Sequence, residues 1–145
     1  MRHPRREDGQ VAGIEGAVFG VLVLIIGILV VANAWAVVDA KLAASAAARE
    51  AARAFVESDG ASADVDAVSA ARSTIEAHGR DPGRASVDLG DATFARCARV
   101  TATVRYEGTL AAIPLLRNLR GFTVTATHSE VVDPYRSGIA GEAAC

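Results

Sequence analysis

The sequence predicts an α+β protein, in which one long N-terminal helix is followed by a short helix and a small, antiparallel, three-stranded sheet. Three observations support this class. A run near the N-terminus has no ionisable side chain, residues 28–58 contain neither glycine nor proline, and two stretches near the C-terminus alternate apolar and polar residues. The expected organisation is a basic leader at 1–9, a transmembrane helix at 10–38, an extracytoplasmic extension of that helix at 39–57, and a small extracytoplasmic α+β head at 58–145.

The composition of the 145-residue chain limits both its size and its class. Hydrophobic residues make up 51% of the chain, but only 5% of all residues are aromatic. This length is enough for one domain, or for a small domain with an appendage. The formal net charge is −2, and a nucleic-acid-binding protein would carry a basic excess. We therefore expect no nucleic-acid partner.

The first element is an apolar run from Gly16 to Val38, GAVFGVLVLIIGILVVANAWAVV, which has Asn33 as its only strongly polar side chain. As a helix, these residues would extend ~35 Å, slightly more than the ~30 Å hydrocarbon core of a bilayer. The apolar stretch of a cleavable secretory signal is shorter, about 7–15 residues. The run therefore predicts one transmembrane span.

The orientation of this span is predicted from its flanks. Three basic residues precede the run and three follow it closely, namely Arg2, Arg5 and Arg6 and then Lys41, Arg49 and Arg53. The positive-inside rule does not decide between equal counts. Because the N-terminal tail is very short, we expect the N-terminus in the cytoplasm and the head outside it.

The second element continues the first helix as an alanine-rich rod. Residues 39–58 read DAKLAASAAAREAARAFVES, and alanine has the highest intrinsic helix propensity. From Val11 to Glu57 the helix would be a rod of ~70 Å, about half of it in the membrane. Ser58-Asp59-Gly60 ends the rod.

A second, shorter helix follows. Ser62 is its expected N-cap, and Gly79 and the turn Asp81-Pro82-Gly83 end it. The apolar positions predicted to form one face are Val65, Val68, Ala71 and Ile75. We expect this face to pack against the rest of the head.

The C-terminal part changes to a period of two, which predicts strands. In RVTATVRYE the apolar positions are Val100, Ala102, Val104 and Tyr106, and in FTVTATHSE they are Phe122, Val124, Ala126 and His128. A shorter strand is expected at 85–89, and a loop with a helical turn near Pro114. Because a head of this size has a thin core, the outer half of the rod must supply a surface on which the sheet packs.

Glycines recur on one side of the predicted transmembrane helix. At 100° per residue, Gly13, Gly16, Gly20 and Gly27 fall within about 60° of one another. Small residues allow membrane helices to approach closely and gain dispersion contacts. Glycine is also simply common in membrane helices, so the alternative is that this glycine face has no packing role.

Glu15 stands immediately before the apolar run, and two interpretations remain open. Its carboxylate could reach the membrane interface at little cost. Alternatively it needs a cationic partner, because ionisable groups at the edge of a span often mark function. No basic residue lies three or four positions away, so such a partner would come from outside this segment.

The N-terminus combines three features: Arg5 and Arg6, then Gly9-Gln10, and then Glu15 directly before the apolar run. This plan resembles that of the TadE-like minor pseudopilins of the tight-adherence (Flp) type IV pilus system. The rod and the small β-rich head extend the likeness over the whole plan. Two details depart from the pattern: Glu15 is the sixth residue after Gly9 rather than the fifth, and Gly16 stands where an aromatic residue is usual.

The resemblance implies a structural role in pilus assembly. A prepilin-type peptidase would cut after Gly9, so that Gln10 becomes the new N-terminus. Glu15 would then pair with the free amine of a neighbouring subunit. The implied partners are membrane lipid, other pilin-like subunits, the peptidase and the pilus assembly platform, and the implied location is the cell membrane or an extracellular pilus.

Two cysteines, Cys97 and Cys145, are present. Outside the cytoplasm a disulfide is permitted, and in the chain-entropy model closing a loop of about 49 residues would contribute roughly 4 kcal/mol. Cys97 shares strand parity with Arg99 and Thr101, which places it on the polar face, accessible to an incoming tail. A free thiol or an intermolecular bond is the alternative.

The remaining polar residues do not suggest catalysis. His3, His78 and His128 lack the spacing of metal ligands, and no serine elbow, phosphate-binding loop or dinucleotide fingerprint is present. Residues 133–138, DPYRSG, read as a turn. We therefore expect no enzyme, metal or cofactor, and a structural subunit instead. The alternative is a single-pass anchored protein whose head acts as an extracytoplasmic adaptor outside any filament.

Overall fold

The computed structural model describes residues 8–110, 121–142 and 145, and the side chains of the first helix from Glu15 onward. It confirms the α+β class with a long N-terminal helix. The elements are α1 (Asp8–Glu57), α2 (Ala63–Ala77), a 3₁₀ turn (Pro82–Arg84), β1 (Ala85–Asp88), β2 (Arg99–Thr109) and β3 (Gly121–Val131). The loop and helical turn predicted near Pro114 lie outside the described residues.

The sheet has the order β1-β2-β3 with both pairs antiparallel. β2 and β3 pair along their whole length, from Arg99 opposite Val131 to Thr109 opposite Gly121. The predicted alternation is confirmed in β2, where Val100, Ala102, Val104 and Tyr106 are buried. In β3, Val124 and Ala126 are buried, whereas Phe122 and His128 are only half-buried. β1 ends at Asp88, one residue before the predicted end.

The outer half of α1 is the centre of the hydrophobic core. Its buried stripe consists of small side chains and one large one, namely Ala40, Ala43, Ala44, Ala47, Ala48, Ala51, Ala52 and Phe55. Methyl side chains bring the backbone of α1 close to α2 and to the inner face of the sheet. The predicted packing of the sheet on the rod is thereby confirmed.

α2 packs on α1 through a face that differs from the predicted one. Its buried residues are Ala63, Ala67, Ala71 and Ile75, at a spacing of four. Val65 was expected on this face but is 71% exposed. The alanines of α2 are small enough to let its backbone come close to the alanines of α1. The two helices therefore contact each other through the alanines of α2 rather than through its valines.

The two ends of α2 are fixed by local hydrogen bonds. Gly79 has a φ of +69°, and the amides of Gly79 and Arg80 donate to the carbonyls of Glu76 (2.8 Å) and Ile75 (3.2 Å), which is a Schellman motif. Ser62 is the N-cap as predicted, but its side chain accepts no backbone bond.

The Ser62 hydroxyl instead contacts Asp59, whose Oδ1 accepts from the amides of Ala61 (3.1 Å) and Ser62 (3.2 Å). Hydrogen bonds from Ser62 lower the pKa of the Asp59 carboxyl. Asp59 therefore stabilises the fold above the pKa it has in the unfolded chain, about 4. That contribution is lost as the pH falls through its lower folded-state pKa.

Candidate functional site

The inner half of α1 presents apolar side chains that no part of the head covers. An 18-residue window of this helix has a mean hydropathy of 2.8, and none of the window is buried. Leu22, Leu24, Ile26 and Ile28 are each more than half exposed. Among the described residues, α1 is the one helix long and apolar enough to cross a membrane.

The glycines of α1 leave open space along one side of this apolar segment. A Cβ built on Gly16, Gly20 or Gly27 would meet no atom within 4 Å apart from its chain neighbours and the adjacent backbone of its own helix. Gly13 and the predicted processing residues Gly9 and Gln10 lie in the first turns of α1, where the backbone alone is described. The glycine face is therefore a shallow groove to which this chain contributes no covering element among its described residues.

The glycine face points away from the head. The residues of α1 that are shielded from solvent begin at Leu29 and Asn33 and continue through Ala36 and Ala40. On an ideal helix this stripe lies about 150° from the stripe of Gly16, Gly20 and Gly27. Within the apolar segment, a second helix can thus lie along the glycines without meeting the head.

Glu15 is exposed at the inner end of the apolar segment. Within the part of the chain that the structure describes, no ion pair involves this carboxylate. It lies about 120° around the helix from the glycine face. The leader arginines, Arg2, Arg5 and Arg6, are outside the described residues.

At the junction between the apolar segment and the head, Arg80 links three elements. Its Nη2 atom donates to the Asp39 carboxylate (2.5 Å) and to the Ala36 carbonyl (3.3 Å), and its guanidinium carbon lies 5.4 Å from the centre of the Tyr106 ring. Burial alone would lower the pKa of Arg80, but hydrogen bonds to Asp39 and Tyr106 raise it above its usual value. Arg80 is therefore charged at physiological pH.

On the other side of the junction, the Lys41 ammonium donates to the Thr125 carbonyl of β3. The sequence predicts no contact for Arg80 or Lys41, because each reaches a partner more than 40 residues away. The one available signal was that Lys41 is the only lysine in the chain.

The far end of the head is closed by the C-terminal tail. Cys97 and Cys145 form a disulfide. The structure corrects the predicted position of Cys97, which lies two residues before β2 with a φ of +60° and so has no strand parity. Gly141 has a φ of +104°, and a Cβ there would lie 3.1 Å from the backbone of Arg96. Glycine is thus required where the tail crosses the loop that contains Arg96.

The same tail caps the end of α1. The Arg136 guanidinium donates to the carbonyls of Val56 (2.7 Å), Glu57 (3.3 Å) and Ser58, and its central carbon lies 5.3 Å from the centre of the Phe94 ring. A cation at the C-terminus of a helix satisfies its free carbonyls and its dipole. The predicted turn at 133–138 therefore positions a helix cap.

The two histidines that the structure describes lie on different elements of the fold. His128 Nε2 lies 3.4 Å from Glu130 Oε1, and about a third of each side chain is exposed. His78 is the exposed C-cap of α2, and His3 lies outside the described residues. No group of three potential metal ligands occurs among residues 8–110, 121–142 and 145. The chain matches no protein-family model, no curated protein and no solved structure.

Proposed function

We propose that this chain is a pilin-like structural subunit of a tight-adherence type pilus, held in the membrane by α1 and assembling by helix–helix packing. One observation carries the proposal, namely an uncovered glycine face on a largely exposed apolar helix, turned away from the head. Such a rod suits side-by-side packing with other rods.

The physics of lipid explains why glycines matter here. Each glycine in a water-exposed helix costs up to about 1 kcal/mol relative to alanine, so a row of them needs a compensating contact. In a bilayer no hydrophobic force drives helices together, and close backbone approach at small residues supplies dispersion energy instead. Gly16 and Gly20, four residues apart, form the minimal face of this kind.

Exposed apolar residues also continue beyond the glycines. Val31, Trp35, Val38 and Leu42 are each more than half exposed, and their spacing of three or four places them on one side of α1. Leu42 already lies at the level of the head. A packing surface that begins in the membrane would therefore extend onto the outer half of the rod.

The orientation and processing complete the proposal. We place the N-terminus in the cytoplasm and the head outside it, where the Cys97–Cys145 disulfide is stable. By resemblance, a prepilin-type peptidase releases Gln10 as the mature N-terminus, and Glu15 meets the free amine of a neighbouring subunit. The other partners would be membrane lipid and the pilus assembly platform.

Crosslinking between helices tests the assembly step. A photo-crosslinking amino acid in place of Val23, which lies between Gly20 and Gly27, should join α1 to like or related helices in native membranes. Gly16→Leu or Gly20→Leu should reduce the crosslinked product by on the order of tenfold, because a leucine holds the backbones apart. The head should remain folded.

Ala32→Leu is the matched control for these variants. Ala32 is exposed and lies about 140° around the helix from the glycine face, so a leucine there should leave crosslinking intact. If the glycine variants crosslink as well as the unmodified chain does, the second candidate function is favoured. In that function α1 is a plain membrane anchor and the head acts as an extracytoplasmic adaptor.

Mass spectrometry of protein purified from its native cells tests the processing step separately. We expect the mature chain to begin at Gln10, with residues 1–9 removed. A chain that still begins at Met1 or Arg2, in cells that contain the peptidase, would contradict cleavage. It would leave the crosslinking prediction standing, because helix packing does not depend on the leader.

A further inference from the structure

The head is fastened to α1 at the level where the apolar run ends. Arg80 reaches from the end of α2 to the carbonyl of Ala36 and the carboxylate of Asp39, and Ala36 lies inside the apolar run of residues 16–38. The polar base of the head therefore overlaps the last residues of that run. No stalk separates the two.

Distances along the helix place this base against the membrane surface. From Glu15 to Trp35 there are twenty residues, about 30 Å, which equals the thickness of a hydrocarbon core. With Glu15 at one interface, Trp35 falls at the other. A headgroup layer of roughly 5–7 Å then extends to about Asp39, so it contains the contact between Arg80 and Asp39.

Trp35 lies at the inner boundary of this layer and Lys41, about 9 Å farther along α1, at its outer edge. Trp35 is 71% exposed, and tryptophan prefers the boundary between hydrocarbon and headgroups because its ring is apolar and its N–H is polar. Lys41 is exposed and gives one hydrogen bond to Thr125. An ammonium group has three donors, so two remain for phosphate oxygens. The nearby Asp39 carboxylate is paired with Arg80, which offsets its negative charge.

We propose that the base of the head is a lipid-binding surface seated in the headgroup layer of an anionic phospholipid bilayer. Trp35 marks the boundary of the hydrocarbon core, and Lys41 binds the phosphate of an anionic headgroup. The proposal rests on the membrane insertion of α1 proposed above. It adds the bilayer itself as a specific partner of the head.

The depth of Trp35 is directly measurable because it is the only tryptophan in the chain. The full chain is reconstituted into vesicles whose lipids carry bromine atoms either close to the headgroup end or close to the methyl end of the acyl chain. Flotation on a density gradient first reports insertion. We expect quenching of Trp35 fluorescence to be strongest with bromine at the shallow position.

The role of Lys41 is measured by energy transfer from Trp35 to a fluorophore on the headgroup of either phosphatidylglycerol or phosphatidylcholine. One basic residue near an anionic surface should enrich the anionic lipid locally by about fivefold. Lys41→Gln should abolish most of this enrichment. Arg49→Gln is the matched control, since Arg49 is an exposed cation of the same helix about 12 Å farther from the membrane.

Each outcome separates the two proposals. A chain that fails to float with vesicles contradicts membrane anchoring and the proposed function with it. A chain that floats, but whose Trp35 is quenched best by deep bromine or not at all, overturns the seating of the head while leaving anchoring intact. Equal effects of Lys41→Gln and Arg49→Gln overturn the phosphate contact. Shallow quenching with an effect confined to Lys41 supports the proposal.

Discussion

Reduction of the Cys97–Cys145 disulfide is expected to remove roughly 4 kcal/mol from the free energy of unfolding of the head. The bond spans a sequence separation of 48 residues, so it restricts a long segment of the unfolded chain that includes both β2 and β3. Small domains have total stabilities of only about 5–15 kcal/mol. Loss of this bond should therefore lower the denaturation midpoint markedly.

Urea denaturation of the full chain in detergent micelles, followed by circular dichroism with and without reductant, measures this effect. The double variant Cys97→Ser, Cys145→Ser is the control, because it should unfold at the reduced midpoint whether or not reductant is present. Equal midpoints for the oxidised and reduced chains would mean that the bond does not stabilise the head.

Phe55→Ala is expected to destabilise the head by about 3–5 kcal/mol. Phe55 is 1% exposed and is among the largest fully buried side chains in the described part of the chain. Its ring contacts that of Phe94, with 5.9 Å between the ring centres. Most of its neighbours on α1 are alanines, which cannot extend into the space that a lost ring leaves. The same urea denaturation measures the change.

Phe19→Ala is the matched control for Phe55→Ala. Phe19 lies on the same helix, but it is 67% exposed and belongs to the apolar segment that no part of the head covers. Its replacement should change the unfolding of the head by no more than about 0.5 kcal/mol. Similar losses for the two variants would show that the outer half of α1 is not the centre of the core.

Much of this architecture is predictable from local patterns in the sequence. The long helix follows from the absence of glycine and proline over residues 28–58, and β2 and β3 follow from their alternating apolar residues. The end of α2 follows from Gly79, whose left-handed backbone closes the helix. Each of these features depends on residues that are close together in the chain, so a local sequence pattern is enough to predict it.

Contacts between distant segments were not predictable in the same way. Nothing in the sequence near Arg80 or Arg136 indicates that each guanidinium reaches α1, 41 and 78–80 residues away. The buried face of α2 was predicted around its valines, but packing against a row of alanines favours its smallest side chains. Cys97 was assigned to a strand because the sequence gives no marker for the residue at which β2 begins.

The unbroken course of α1 has a mechanical consequence. Its 50 residues run from the apolar segment to the far end of the head, where the Arg136 guanidinium donates hydrogen bonds to its last carbonyls. Tension applied at that end would be transmitted along the axis of α1, because this helix has no break at which it could bend. A force applied at the outer surface of the head would therefore be transmitted to any helix packed against the glycine face.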